Sequence, residues 1–201
     1  PRRAAPRPFP QIMQQMERDL EKVLAHCVER FPNLRIAYLT CDGFRHFTGF
    51  EPHVYQEAFA MKWLIEVIQD TVKTPIAIDS QKFDVVKAGL SVIKNEVLIN
   101  SSKGDPEELD RYMTIAKEYN ASLICLTMDK CGIPQDVERR MEFAMRIVEK
   151  AVEHEFDLDK VYIDPVLFPI NVDQKQPALM FDIFNQIKMI SDPAPHRNVG
   201  L

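Results

Sequence analysis

Three polar residues close three apolar runs. Asp79 follows Ile76-Ala77-Ile78, Asn100 follows Val97-Leu98-Ile99, and Asp164 follows Val161-Tyr162-Ile163. A carboxylate only accepts hydrogen bonds and can take two N–H donors at once. A carboxamide both donates and accepts. A helical pattern follows each of the three ends. An apolar strand that stops at a polar residue and then enters a helix is how a parallel α/β protein displays a site. Three such ends imply one pocket with a polar floor. That pocket, more than the fold, decides the chemistry.

The elements that must position these residues alternate along the chain. Apolar spacing predicts a helix over 12–30, with Met16, Leu20, Val23, Leu24 and Cys27 on one side. A strand over 34–40 follows, then an irregular stretch over 41–56 containing Gly43, Gly49 and Pro52. A helix over 58–72 carries Leu64, Val67, Ile68 and Val72, and a helix over 83–93 follows the strand that ends at Asp79. Beyond Asn100, Asp105-Pro106-Glu107-Glu108 offers an N-cap, a proline at the first helical position and an acid three residues after the cap. That helix runs through Leu109, Tyr112, Met113, Ala116 and Tyr119 to a strand over 123–127. A long helix starts at Pro134, with Met141, Ala144, Met145, Val148 and Val152 expected to face inward. After Asp164 come a helix over 178–190 and, over 199–201, the start of one more strand.

Regular strand–helix alternation without hairpin signals implies a parallel sheet with helices outside. A closed (β/α)8 barrel takes about 250 residues, and this chain has 201. Periodicity is compatible with an incomplete barrel or with an open doubly wound sheet. Four prolines and three arginines among the first ten residues read as a disordered lead-in, 1–10, ahead of a single domain over 11–201.

Composition narrows the function classes. At 46% hydrophobic and 27% charged residues the chain is an ordinary globular protein. Its net charge of -5 argues against a nucleic-acid surface. No apolar run approaches the ~20 residues that span a membrane, and the first residues lack the apolar core of a signal peptide. Cys27, Cys41, Cys125 and Cys131 form neither a Cys-x-x-Cys pair nor a zinc pattern, so reduced thiols in the cytoplasm are the simplest expectation. Cys125 sits in an apolar run and reads as core. His46 and His53 lack a well-spaced third ligand and read as loop residues, as does the pair Asp129-Lys130.

A set of segments in order carries a more specific signal. They are Met61-Lys62-Trp63-Leu64-Ile65-Glu66-Val67, Ile78-Asp79-Ser80, Leu98-Ile99-Asn100-Ser101 and Leu126-Thr127-Met128-Asp129-Lys130-Cys131-Gly132-Ile133-Pro134. Tyr162-Ile163-Asp164-Pro165, Pro169-Ile170-Asn171-Val172 and the stretch from Gln186 to Pro195 complete them. Over about two thirds of its length the chain resembles the pterin-binding methyltransferases that act on methyltetrahydrofolate and a corrinoid protein. Dihydropteroate synthase and the folate domain of cobalamin-dependent methionine synthase belong to the same broader fold family. The resemblance implies a TIM-type (β/α)8 barrel with parallel strands and outer helices, incomplete at both ends here.

It also implies roles. Asp79, Asn100 and Asp164 would line the pterin pocket, with Ser80, Ser101, Met128 and Asn171 at its rim. Taken singly, Asp79-Ser80 reads as a helix N-cap and Asn171 as a turn asparagine, while Asn100-Ser101-Ser102 is as compatible with a turn as with a pocket and Asp164-Pro165 is compatible with a plain strand stop. The three strand ends in family order favour a pocket. The expected reaction moves a methyl group from 5-methyltetrahydrofolate to the cobalt of a cobalamin-type corrinoid, carried by a corrinoid (iron-sulfur) partner protein. The expected assembly is a homodimer, with no nucleic acid, membrane or metal site. No residue is assigned as general acid. A non-catalytic pterin-binding module and a dihydropteroate synthase are the competing readings.

Overall fold

The computed structural model describes residues 9–30, 37–40, 54–168 and 171–200. Cys41, His46 and His53 lie outside them. The chain divides into two compact units, Pro1–Ile78 with Asp84–Glu96, and Asp79–Phe83 with Val97–Leu201.

The first unit begins with helix α1 (Phe9–Arg30), which starts inside the proline-rich stretch. Pro10 falls in its first turn, where a missing N–H breaks no helical hydrogen bond. Met16, Leu20, Leu24 and Cys27 are half-buried, while Val23 is exposed. Strand β1 (Ala37–Thr40) lies beside β2 (Ile76–Asp79), and between them α2 (Val54–Thr71) packs against α1. The core of the unit is Met61, Ile65, Ile68, Ile76 and Ile78, with Val85, Val86 and Leu90 of α3 (Phe83–Leu90). Gly89 is required here: a Cβ would stand 2.9 Å from Ile65 Cδ1 and 3.1 Å from Ile78 Cδ1. Helix α3 ends at Leu90 rather than near residue 93 because buried Gln69 captures the next segment. Its amide donates to Val92 O (3.0 Å) and its carbonyl accepts from Lys94 N and Asn95 N.

The second unit carries β3 (Val97–Lys103), α4 (Pro106–Glu118), β4 (Ser122–Leu126), α5 (Val137–Glu153), a 3-10 turn (Leu158–Lys160), β5 (Val161–Asp164), α6 (Gln176–Ile187) and β6 (His196–Arg197). The four strands lie side by side in chain order and each pair is parallel. Crossovers of a single hand put α4, α5 and α6 on one face of such a sheet. A doubly wound sheet would reverse its strand order at a switch point. The unbroken order here is that of part of a TIM-type barrel. The last strand sits at His196–Arg197, ahead of the stretch over 199–201 where apolar residues place it. His196 stacks on Tyr162 with ring centroids 4.7 Å apart, and Asn198 N donates to Ile163 O, which fixes the earlier register.

Strand alternation sets the core. Val97, Ile99, Leu123, Cys125, Val161 and Ile163 are buried under the helices by Leu109, Met113, Ala116, Phe143, Ala144 and Ile147. Cys125 is core as expected, and burial pushes its thiol up. Helix α5 is rotated from the expected face. Met145 and Val152 are exposed, and Arg140, Phe143 and Ile147 are buried instead. Its start is also later than Pro134, at Val137, where Asp136 caps by accepting from Arg139 N (2.7 Å). Arg140 then reaches back to Pro134 O (2.8 Å) and across to Gln176 Oε1 (3.1 Å). Buried Gln176 donates in turn to Asp173 (2.9 Å). These bonds fasten the loop before α5 to the loop before α6. Proline sits at the start of α4 as expected. Asp105 makes no side-chain cap bond, and Glu108 accepts from Lys103 N (3.1 Å). No helix among the described residues is long and apolar enough to cross a membrane.

Candidate functional site

Asp164 ends β5 and is 5% exposed. Three donors hold its carboxylate. Val166 N meets Oδ1 at 2.8 Å, and Asn198 Nδ2 and Gly200 N meet Oδ2 at 2.8 and 3.1 Å. Burial pushes its pKa up, and the three donors pull against that. Its backbone is also engaged, accepting from Thr127 N at 2.9 Å just past β4. The turn that supplies the first donor is strained. Val166 has φ 60, a left-handed conformation that a β-branched residue rarely adopts. Such strain persists where the surroundings over-determine it, commonly at binding sites.

A carboxylate offers about four acceptor positions. The described residues supply one donor to Oδ1 and two to Oδ2, so among them a single acceptor position, on Oδ1, is not taken. The chain itself therefore takes most of the capacity for two external N–H donors that an isolated aspartate would have.

Asn100 does not end its strand. β3 continues through Lys103, with the register shifting between Asn100 (opposite Ile124) and Ser102 (opposite Cys125). Ser101 is the extra residue of this bulge, and bulges re-aim side chains beside sites. The polar run Ser101-Ser102-Lys103 stays in the sheet because pairing with β4 needs only backbone groups. Asn100 shares its row with Ile124 and Tyr162, and Asp164 lies two residues beyond Tyr162, on the same face. Asp79 comes next to Asn100 through the following peptide, since Ser80 N donates to Asn100 O at 3.0 Å. Ser80 Oγ accepts from Lys82 N (3.2 Å), which fixes the turn.

The other expected rim residues are placed unequally. Ser80, Ser101 and Met128 are half-buried, and Met128 O accepts from Gly104 N at 2.7 Å, joining the ends of β3 and β4. Gly104 has no room for a side chain, as a Cβ would lie 2.6 Å from Phe143. Asn171 is exposed at a turn ahead of α6. Asn198 and Gly200 are the contributors that apolar patterning misses. Asn198 follows β6 immediately, so the polar-strand-end rule finds it once the strand is placed at His196–Arg197. Among the described residues no group of three or more His, Cys, Asp or Glu is arranged to hold a metal ion.

The sequence model for the family described as pterin binding enzymes matches residues 51–196. The chain is 28% identical over 127 residues to a methylcorrinoid:tetrahydrofolate methyltransferase of Eubacterium limosum, covering 62% of this chain and 46% of that protein. It is 30% identical over 114 residues to a methionine synthase of Mycobacterium leprae (strain TN), covering 53% of this chain and 9% of that protein. The chain thus spans less than half the length of either relative.

Proposed function

The chain belongs to the pterin-binding enzyme family, and from that premise we propose that it holds the pterin ring of a folate for transfer of a methyl group. The transfer runs between N5 of tetrahydrofolate and the cobalt of a corrinoid carried by a partner protein. Asp79, Asn100 and Asp164 grip the ring, and Ser80, Ser101 and Met128 border it. Asn171, exposed at its turn, is the outermost of the proposed contacts.

The observation that carries this reading is Asp164: a buried carboxylate at a strand's carboxyl end, to which the described residues supply one donor on Oδ1 and two on Oδ2. A reduced pterin presents an amino-pyrimidinone edge rich in N–H donors. One such N–H on Oδ1 would complete the carboxylate's shell and compensate its burial. Asn100 can pair with an edge that both donates and accepts. The sequence resemblance points to methyltetrahydrofolate as donor, and the Eubacterium limosum relative is named for the opposite direction. A site complementary to one transition state serves both directions.

The chemical demand lies at N5, which leaves as a poor leaving group unless a proton or a strong hydrogen bond reaches it. The chain's own part is to orient the pterin so that N5 and its methyl group face the corrinoid. The test is isothermal titration of the full-length protein with 5-methyltetrahydrofolate beside Asp164→Ala. We expect the variant to bind at least about tenfold more weakly, the scale of a hydrogen bond to a charged group. Equal affinity would remove Asp164 from the pocket. Folate binding without methyl exchange, when a corrinoid protein is supplied, would limit the function to binding.

A further inference from the structure

We propose that Asn198 is the positioning residue for Asp164. Its carboxamide, with Gly200 N, fills Oδ2 and leaves Oδ1 as the one atom that meets an incoming N–H. This rests on the pterin-binding reading and deepens it, by assigning which carboxylate oxygen binds the ring and what fixes it.

Three observations meet at this residue. Asn198 Nδ2 lies 2.8 Å from Asp164 Oδ2, a direct charge-assisted bond. Asn198 N donates to Ile163 O at 2.9 Å, so the residue is registered against β5 by its backbone independently of its side chain. The other two donors to Asp164 are backbone groups, Val166 N and Gly200 N, so Asn198 supplies the one side-chain hydrogen bond among the three. Substitution can therefore remove Asn198's bond and leave the strand pairing in place.

Among the described residues, the charged and titratable groups on and beside the neighbouring strands include Asp79 next to Asn100, Lys103 on β3, Cys125 on β4, Asp129 and Lys130 after β4, and His196 and Arg197 on β6. Lys103 shares Asp164's register row through Leu126, and Arg197 pairs with Ile163. Asp164's proton affinity is set by burial, which raises it, and by the three donors, which lower it. Loss of the Asn198 donor leaves burial less opposed, so the carboxylate protonates at higher pH. A protonated Asp164 no longer offers a charged acceptor. Folate affinity then falls as pH falls, and starts to fall at higher pH than in the parent.

The experiment compares full-length parent, Asn198→Leu and Asn198→Asp by two readouts. The first is the ¹³C NMR titration of the Asp164 carboxyl carbon without ligand. The second is the affinity for 5-methyltetrahydrofolate across pH. We expect the titration midpoint to rise in Asn198→Leu. It should rise further in Asn198→Asp, where two carboxyls within hydrogen-bond distance share a proton. Affinity should drop about tenfold at the acidic end of the profile and less at the alkaline end. A structural role alone would weaken binding by the same factor at every pH and leave the midpoint fixed, and that result overturns the assignment. Asn198→Asp keeps the side-chain size, so the question stays decidable if Asn198→Leu folds poorly. A raised midpoint without folate binding by the parent would support the Asn198–Asp164 coupling and overturn the pterin reading.

Discussion

The two faces of the β3–β6 sheet are built to different rules. Under the helices, Val97, Ile99, Leu123, Cys125, Val161 and Ile163 are each at most 4% exposed. On the opposite face Leu98, Asn100, Leu126 and Tyr162 are half-buried, Ile124 is buried, and the row ends at Asp164. One face is closed by apolar packing. The other leaves polar groups at the carboxyl ends and holds them with hydrogen bonds. The contrast within β5 is sharpest: Ile163 is fastened by its neighbours' side chains, and Asp164 by N–H groups from two loops. The first kind of contact supports stability, and the second orientation.

Ile163→Ala should break the packed face and give the largest effect. We expect a loss of about 2–5 kcal/mol in urea unfolding, the usual cost of emptying a fully buried aliphatic site. Folate affinity per folded molecule should change little, and a matching collapse in affinity would mean the faces are not separable. Val166→Asn sharpens the contrast from the other side. Asparagine tolerates the left-handed backbone that valine resists, so thermal unfolding should show a gain of about 1 kcal/mol. Folate affinity should hold, because the backbone N–H that meets Asp164 is retained. Met145→Gln on the outer side of α5 should be the smallest, within about 0.5 kcal/mol, since Met145 is 46% exposed. A large loss there would return the helix to the orientation that its apolar spacing first suggests.

That orientation shows where local patterning stops. Met141, Ala144 and Val148 satisfy it and are buried, but Met145 and Val152 satisfy it equally and are exposed. An apolar stripe wider than the contact leaves two solutions, and the contact with the strands and α6 selects one. Arg140 could not be assigned to the interior from its type. It is buried because Pro134 O and Gln176 Oε1 happen to converge on it from separate loops. Asn100 closes an apolar run, yet its strand continues, because sheet pairing depends on backbone groups that hydropathy does not report.

The sequence by itself determined the order of strands and helices and the parallel α/β class, and it marked Asp79, Asn100 and Asp164 as the polar residues that follow apolar runs. Each follows from period, run length and residue type within a few neighbours. Only the tertiary structure decided how Asp164 is equipped. Its donors come from Val166, Asn198 and Gly200, and the last two lie 34 and 36 residues along the chain. Hydrogen bonds between such distant groups exist only once β5 and β6 are paired. The number of acceptor positions left for a ligand is therefore a property of the folded chain.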